Sequence, residues 1–225
     1  MASNEGALPL ILRPPARLHI PDSGASSSDL ADAARAELNQ GGNVPKSCAI
    51  LLSGGIDSST LAASLNSHEW ESTAWFVDYG QPARHAERAA SRAISSRFSI
   101  PWEQVDLRGL GIAVSGEIRG RNDLFVAACL AVSDAHAIAI GTHGESSYRD
   151  CSPPHAMAWQ ALLDAEYAGR RRLLAPFLTL SKAAIVALAR DLDVPLELTH
   201  SCDAADTACG SCASCQERSS VVACP

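Results

Sequence analysis

Short apolar runs alternate along the chain with stretches that have helical spacing. The apolar runs at 48–52, 72–80, 102–107 and 137–143 predict β-strands. Helical stretches flank these runs at about Ser28 to Leu38, 83–98, 121–137 and 181–193, the last with Ser181 as its N-cap. Strands that alternate with helices predict an α/β fold, a Rossmann-like parallel sheet covered by helices on both faces.

The pattern also predicts three regions of unequal size. Residues 1–45 read as an N-terminal arm with one helix that ends at Gly41 and Gly42, because the preceding residues are rich in Pro, Ser and Gly. Residues 46–198 contain the strands and helices of the α/β domain. Residues 199–225 contain four closely spaced cysteines and form a C-terminal metal-binding segment in this interpretation.

The composition of the chain limits the cellular compartments and the classes of partner that can be expected. A chain of 225 residues with 47% hydrophobic content can bury the core of a domain, and its net charge of −7 disfavours a nucleic-acid surface. No apolar run reaches the roughly 20 residues of a membrane span, and no signal-peptide pattern opens the chain. We therefore expect a cytoplasmic protein with reduced thiols and no membrane partner.

The stretch SGGIDSS, residues 53–59, joins the first apolar run of the sheet to a helix-forming stretch. Glycines let a backbone turn tightly beside a ligand, and hydroxyls together with helix N-terminal amides donate hydrogen bonds to anions. Neither the P-loop nor the dinucleotide-binding glycine pattern is present. The residues predict a phosphate-binding loop, against the alternative of an ordinary glycine turn.

Cys202, Cys209, Cys212 and Cys215 have the spacing C-x6-C-x2-C-x2-C. Four thiolates on two tight turns can surround a zinc ion, and no ligand position would then stay open for catalysis. A redox pair, an iron–sulfur cluster or four reduced thiols remain alternatives. Cys48 and Cys129 lie in apolar runs and read as core thiols, and Cys224 reads as a surface thiol.

Six segments in a fixed order give the chain a resemblance to a known family. They are LLSGGIDSS (51–59), VDYGQ (77–81), GRNDLF (120–125), IAIGTH followed by YRDC (138–151), APFLTLSKAAIV (175–186) and the cysteine cluster after THS. In this combination the chain resembles the 7-cyano-7-deazaguanine synthases, the QueC-like family of the N-type ATP pyrophosphatases. The resemblance covers residues 48–218. It implies the adenine nucleotide alpha hydrolase-like form of the Rossmann fold.

The resemblance also implies roles for particular residues. It assigns catalytic roles to Asp57, Arg121 and Lys182. It assigns nucleotide binding to residues of the loop and of the strand ends that face the loop. These residues are Ser53, Gly54, Gly55, Asp57, Ser58, Ser59, Tyr79, Gln81, Asn122 and Gly141. It assigns contacts with the deazaguanine to His143, Tyr148, Asp150 and Cys151, with His155 as a further possible contact. The four clustered cysteines hold a structural zinc in this interpretation.

The implied reaction uses ATP and Mg²⁺ to adenylate 7-carboxy-7-deazaguanine. Ammonia converts the adenylate to an amide, and a second ATP converts the amide to the nitrile. The chain departs from the family in a short connection before Gly120, in Ser152 where the family has an arginine, and in about 45 additional N-terminal residues.

These departures leave two alternatives open. One is an enzyme that stops at the amide or passes the acyl group to another amine, such as one on a protein. The other is an inactive zinc-stabilised binding module that acts through the N-terminal arm. The family also implies a homodimer. The basic run at 169–174 reads as a solvated face or a contact for an acidic partner.

Overall fold

The computed structural model describes residues 27–39, 46–110, 118–146 and 148–222. Its centre is a sheet of five parallel strands in the order β3-β2-β1-β4-β5. The strands are β1 (Ser47–Leu51), β2 (Glu71–Asp78), β3 (Trp102–Asp106), β4 (Ala137–Ala139) and β5 (Arg172–Leu174). The α/β class predicted from the alternating pattern is confirmed.

Seven α-helices occur in the described ranges. They are α1 (Ser27–Asn39), α2 (Ile56–Ser67), α3 (Arg84–Arg97), α4 (Arg121–Val132), α5 (Pro153–Tyr167), α6 (Lys182–Asp191) and α7 (Ala213–Val222). Short 3₁₀ helices span Arg108–Leu110, Arg149–Cys151 and Leu196–Leu198. None of the helices in the described ranges has both the length and the apolar character that a membrane crossing requires.

The sheet has a hydrophobic core on each face. Alternate residues of a strand point to opposite faces, and in β1 Cys48 and Ile50 join one core while Ala49 and Leu51 join the other. The first core contains side chains of α1, α2, α3 and α6, and the second contains side chains of α4 and α5. Helices therefore cover both faces, as the sequence pattern predicts, and Cys48 and Cys129 are buried core thiols.

The strand order places a crevice at one edge of the sheet. The chain passes from β1 to its neighbour β2 on one side and later returns to pair with β1 through β4 on the other side. In parallel sheets, ligands bind at the carboxyl ends of strands where the direction of winding reverses. This topology selects the loop after β1 and the chain that follows β4 as the walls of the crevice.

The predicted N-terminal helix is confirmed as α1 and packs on the domain. Ala34 and Leu38 are buried in the first core, and the indole Nε1 of Trp70 donates a hydrogen bond of 3.0 Å to the Leu38 carbonyl. Residues 1–26, the Gly41 and Gly42 helix stop and Cys224 lie outside the described residues.

Several elements differ from the sequence-based expectation. The helix expected over 121–137 ends at Val132, and the strand expected over 137–143 is the shorter β4. Helices α5 and α7 and strand β5 were not predicted. The basic run at 169–174 is a solvated face only at Gly169 and Arg170, because the rest contains β5, buries Leu173 and Leu174, and places the Arg171 guanidinium 3.2 Å from the Leu130 carbonyl.

Candidate active site

The loop after β1 turns on Gly54, which has a positive φ of 86°. A Cβ at this position would lie 2.6 Å from the backbone nitrogen of Ser91, so helix α3 leaves room only for glycine. Within the loop, the hydroxyls of Ser53 and Ser58 lie 3.1 Å apart. Helix α2 begins directly after Gly55, so its first amides face the loop as potential donors to an anion.

Gly141 brings the chain after β4 against the same loop. A Cβ at Gly141 would lie 2.9 Å from the carbonyl carbon of Asp57 and from the backbone nitrogen of Ser58. The close approach of these backbones joins two of the segments that the sequence analysis assigns to the nucleotide. Ser59, by contrast, is fully buried in α2, and its hydroxyl has no hydrogen-bond partner among the described residues.

Lys182 enters the site from the first turn of α6. The Ser181 side chain accepts a hydrogen bond from the Ala184 amide and caps this helix, which confirms the predicted N-cap. The Lys182 ammonium lies 2.8 Å from each carboxylate oxygen of Asp57 and 3.2 Å from Glu217 Oε2. The lysine is 8% exposed. Asp57 and Lys182, two of the predicted catalytic residues, therefore meet beside the glycine loop, although 125 positions separate them in the sequence.

A second group of predicted residues surrounds the start of α4. The Asn122 amide donates to Asp150 Oδ2 at 3.2 Å, and the Asn122 side chain donates to Cys151 Sγ at 3.4 Å. Burial raises the pKa of the Cys151 thiol. Burial acts to lower the pKa of the Arg121 guanidinium, but Tyr79, Asp150 and Asp203 together have the larger opposite effect, so the pKa is raised.

Tyr79 and Gln81 follow β2 and differ in what they leave available to a ligand. The Tyr79 ring packs on Phe125 at a centroid distance of 5.3 Å, and burial raises the pKa of its phenol. The Gln81 amide is occupied within the fold, since it accepts from the Tyr79 amide at 3.0 Å and donates to Glu87 Oε2 at 2.7 Å. The Gln81 side chain thus holds the chain at the end of β2 through hydrogen bonds with neighbouring residues.

The remaining predicted contacts are more peripheral. Tyr148 is 45% exposed and directly precedes the 3₁₀ helix Arg149–Cys151. His143 follows β4, and its Nε2 lies 3.8 Å from Glu217 Oε1. His143 and Lys182 therefore share one carboxylate.

The four clustered cysteines converge as the spacing predicts. The Sγ atoms of Cys202, Cys209, Cys212 and Cys215 all lie within 4.8 Å of one another. The Cys212 amide donates to Cys209 Sγ at 3.3 Å, and the Cys215 amide donates to Cys212 Sγ at 3.4 Å. Hydrogen bonds from Ser211 and from the Cys212 amide lower the pKa of Cys209 to about 6. Such a group of thiols fits a tetrahedral metal ion.

The cysteine-rich segment is attached to the phosphate loop and to α3. The His200 amide donates to the Gly54 carbonyl at 2.9 Å. Asp206 Oδ1 accepts from the amides of His85 and Ala86 at 3.0 Å and so caps α3 from a distant part of the chain. Arg218 of α7 donates to the Thr199 hydroxyl at 2.7 Å. A metal in this segment would therefore stabilise the wall of the candidate site.

Three further carboxylates belong to the site, and the sequence pattern does not indicate them. Glu217 contacts Lys182, while Glu87 and Asp203 interact with each other, and burial together with Asp203 raises the pKa of Glu87. Glu87 lies in a helix of mixed polarity, and Asp203 and Glu217 lie within the cysteine segment. No local sequence pattern identifies these three carboxylates as site residues. Asp203 and Glu217 could have been found only through their closeness in the sequence to the clustered cysteines.

The model of the family described as queuosine biosynthesis protein QueC matches residues 47–118 and 112–223. The chain belongs to the QueC family. The matched residues include the glycine loop, Lys182 and all four clustered cysteines.

Individual relatives agree with membership in the QueC family. The 7-cyano-7-deazaguanine synthase of Thermoplasma volcanium is 34% identical over 78% of this chain and 86% of its own length. That of Prochlorococcus marinus strain MIT 9312 is 32% identical over 77% of this chain and 92% of its own. The solved NH3-dependent NAD synthetase from Campylobacter jejuni is 15% identical over 76% of this chain and 74% of that chain, with a TM-score of 0.48. The named synthases show that this QueC family member is related to enzymes.

Proposed function

We propose that the protein is an ATP-dependent ligase that makes 7-cyano-7-deazaguanine from 7-carboxy-7-deazaguanine and ammonia. Its relatives bear the name of that synthase. The observation that carries the proposal to this chain is the Lys182 ammonium, 2.8 Å from the Asp57 carboxylate and beside the Gly54 turn. A cation, a carboxylate and a ring of donors at one strand end suit nucleotide phosphates. In this proposal the enzyme works in the cytoplasm.

The first step is adenylation of the deazaguanine carboxylate. The amides of the loop and of α2 hold the β- and γ-phosphates, and Lys182 neutralises charge on the α-phosphate as the carboxylate oxygen attacks phosphorus. The bond to pyrophosphate breaks, and pyrophosphate leaves. The protein supplies positioning and charge, because a carboxylate next to an aligned phosphate needs no further nucleophile.

Mg²⁺ is part of this proposal as a companion of the ATP phosphates. The donor set fits, because Asp57 offers a carboxylate and Ser53 and Ser58 offer hydroxyls, and Mg²⁺ prefers oxygen ligands. When bound, the ion lowers the negative charge that an attacking carboxylate meets. Lys182 then holds the Asp57 carboxylate in the orientation that the site requires.

Zinc is proposed for the four cysteines, with a structural role. All four ligands come from protein, so no position remains for substrate. The contacts of His200 with Gly54 and of Asp206 with α3 transmit the stability of this centre to the phosphate loop.

The second group of residues is proposed as the meeting point of the two substrates, where Asp150 and Cys151 contact the deazaguanine while Arg121, Asn122 and Tyr79 keep the catalytic and nucleotide roles that the resemblance implies. Arg121 and Asn122 begin α4, and Asp150 and Cys151 lie opposite them on the 3₁₀ helix. Tyr79, which packs on Phe125, provides an aromatic surface next to this group. A planar base with amide-like edges suits such a set of donors, acceptors and ring.

The test incubates the zinc-loaded protein with 7-carboxy-7-deazaguanine, Mg²⁺ and ATP, with and without ammonium. AMP, pyrophosphate exchange into ATP and the base are followed by mass spectrometry and isotope exchange. We expect exchange that depends on the deazaguanine acid, and a nitrile with two AMP released per molecule when ammonium is present.

The same experiment separates the alternatives. An amide that accumulates, or AMP release that requires a protein amine, would indicate an acyl-transfer enzyme that does not make the nitrile. The absence of both exchange and AMP would support the binding module. A Lys46→Ala variant serves as the matched control for substitutions of Lys182, because the Lys46 ammonium donates a hydrogen bond to the His68 carbonyl outside the site.

A further inference from the structure

Glu217 contacts two residues that are assigned to different substrates. Its Oε2 atom lies 3.2 Å from the Lys182 ammonium, and its Oε1 atom lies 3.8 Å from His143 Nε2. The proposed function places Lys182 at the α-phosphate of ATP, and the family resemblance assigns His143 to the deazaguanine. One carboxylate therefore joins the nucleotide side of the site to the side of the acid that reacts with it.

The backbone of Glu217 is held on both sides along α7. Cys215, two positions earlier, belongs to the cysteine cluster. Arg218, the next residue, donates to the Leu196 carbonyl at 2.6 Å and to the Thr199 hydroxyl at 2.7 Å. The Glu217 side chain thus extends from an anchored turn, so its carboxylate has a defined position relative to the site.

A second carboxylate beside Lys182 serves a purpose that Asp57 alone does not. A nearly buried ammonium needs a compensating negative charge. The Asp57 carboxylate, 2.8 Å away, is also the group proposed to bind Mg²⁺. Glu217 pairs with the ammonium from the side of α7, while Glu145 Oε2 accepts a hydrogen bond of 2.8 Å from the Lys182 amide. The side chain and the backbone of the lysine therefore have separate anchors.

We propose that Glu217 is a positioning residue for adenylation, which fixes the Lys182 ammonium and the His143 ring relative to each other. The α-phosphate and the carboxylate of the deazaguanine are thereby aligned, and no bond to Glu217 forms or breaks. The proposal rests on the proposed function and concerns a residue to which neither the sequence pattern nor the resemblance assigns a role. Because an offset of about 1 Å between reacting groups can slow a reaction by about 100-fold, alignment affects the rate more than the binding of either substrate.

The kinetic test compares Glu217→Gln with wild type in the zinc-loaded full chain. Glutamine has the shape of glutamate but lacks its charge. Deazaguanine-dependent pyrophosphate exchange is measured over a range of ATP and of acid concentrations. We expect the rate at saturation to fall by about 10-fold or more, while the apparent KM for each substrate stays within about threefold of wild type. Wild-type exchange at saturation, or a loss that lies in KM alone, would overturn the proposal.

A matched variant exchanges Glu217 with its neighbour. Gln216 is exposed and precedes Glu217 on α7. The double variant Gln216→Glu with Glu217→Gln keeps the composition and the net charge, but it moves the carboxylate to another side of the helix, because adjacent helical residues do not share a face. We expect it to be as slow as E217Q, whereas Gln216→Ala should match wild type. Recovery of exchange in the double variant would show that only the overall charge matters, and would overturn positioning by Glu217.

A spectroscopic test uses the scarcity of lysine. Lys46 and Lys182 are the only two lysines of the chain, so protein labelled with ¹³C-lysine gives two sets of side-chain NMR signals, and Lys46→Arg assigns them. In wild type we expect Overhauser contacts between the Lys182 Hε protons and the Glu217 side chain. In E217Q the Lys182 signals should shift while those of Lys46 do not. The absence of the contacts in wild type, or unchanged Lys182 signals in E217Q, would contradict the proposal.

These measurements separate two kinds of failure. Wild-type protein without deazaguanine-dependent exchange would contradict the proposed function. Wild-type protein that exchanges, together with an E217Q variant that exchanges equally fast, would contradict only the role of Glu217.

Discussion

At the scale of single residues, Lys182 makes the main ion-pair contacts of the site. Its ammonium is nearly buried and lies within 3.2 Å of two carboxylates, from Asp57 and Glu217. Removing one member of a buried ion pair leaves an uncompensated charge, and this costs more than the pair contributes. The effect of replacing Lys182 should therefore appear both in ATP binding and in the local order of α2.

We expect Lys182→Ala to lower deazaguanine-dependent pyrophosphate exchange by at least about 100-fold, the size of effect seen when one preorganised donor is removed from a transition state. Lys182→Arg retains the charge and should lose less. Initial exchange rates at saturating ATP measure the effect. Lys46→Ala should exchange at the wild-type rate. A Lys182→Ala protein with wild-type exchange would show that the phosphates bind elsewhere.

Gly54 gives a prediction about backbone conformation. A side chain at this position meets both the positive φ of 86° and the Ser91 nitrogen 2.6 Å away. We expect Gly54→Ala to lower the free energy of unfolding by about 1–3 kcal/mol or more and to weaken ATP binding. Gly109→Ala is the matched control, because a Cβ at Gly109 meets no atom within 4 Å. Equal melting temperatures of the two variants would contradict this account.

At the scale of elements, the cysteine-rich segment forms one wall of the site through hydrogen bonds. His200 bonds to Gly54, Asp206 caps α3, and Arg218 links α7 to Thr199. The segment contains one α-helix and two short cysteine turns, so we expect its order to depend on the bound metal.

Removal of the metal should therefore loosen more than the cysteines. With a chelator present, we expect faster hydrogen exchange in residues 199–222, in the N-terminal turn of α3 and in the loop at Gly54, with slower exchange of pyrophosphate. Cys209→Ser should show the same pattern without chelator, and re-addition of zinc should restore only the wild-type protein. Faster hydrogen exchange confined to the cysteine turns would show that the segment is independent of the loop.

The sequence predicted most elements of the sheet because their apolar runs have clear boundaries. It failed for β5, which has three residues and begins with the last arginine of the basic run. It also failed for α5, which begins with two prolines and exposes Met157 and Leu162, so that no polar face marks it as amphipathic.

The chemistry of the site divides in the same way. The glycine loop and the cysteine spacing are local patterns, so the sequence shows them directly. The contact of Glu217 with Lys182 and the pairing of His155 with Asp123 join residues about 30 positions or more apart, and each depends on how helices cross. Such contacts follow from tertiary packing, which a single sequence does not display.

At the scale of the whole molecule, α1 is attached to the domain beside β5 at the sheet edge. Glu37 Oε1 accepts from the Ala175 amide at 3.0 Å, and Arg172 donates to the Glu37 carbonyl at 3.2 Å. The Arg172 guanidinium also lies over the Trp70 ring, 5.3 Å from its centroid. These contacts make the helix part of the domain that carries the site.

Glu37 makes the stability of this arrangement depend on pH. Burial raises the pKa of its carboxyl above 4.5, against the opposing effects of the Ala175 amide and Arg172. Between 4.5 and the raised value, the folded chain keeps a proton that the unfolded chain releases. Stability from this group is therefore present at low pH and is lost as the pH rises through the folded pKa.

We expect Glu37→Gln to remove this dependence, because glutamine still accepts from Ala175 and carries no charge. Urea unfolding with zinc present, from about pH 5 to about pH 8, a range that lies above the ordinary carboxyl pKa, should show the variant gaining stability relative to wild type as the pH rises. Glu166→Gln, at an exposed position of α5, should follow the wild-type curve throughout. A constant difference between Glu37→Gln and wild type at every pH would mean that Glu37 ionises alike in both states, and that α1 docks by its apolar face alone.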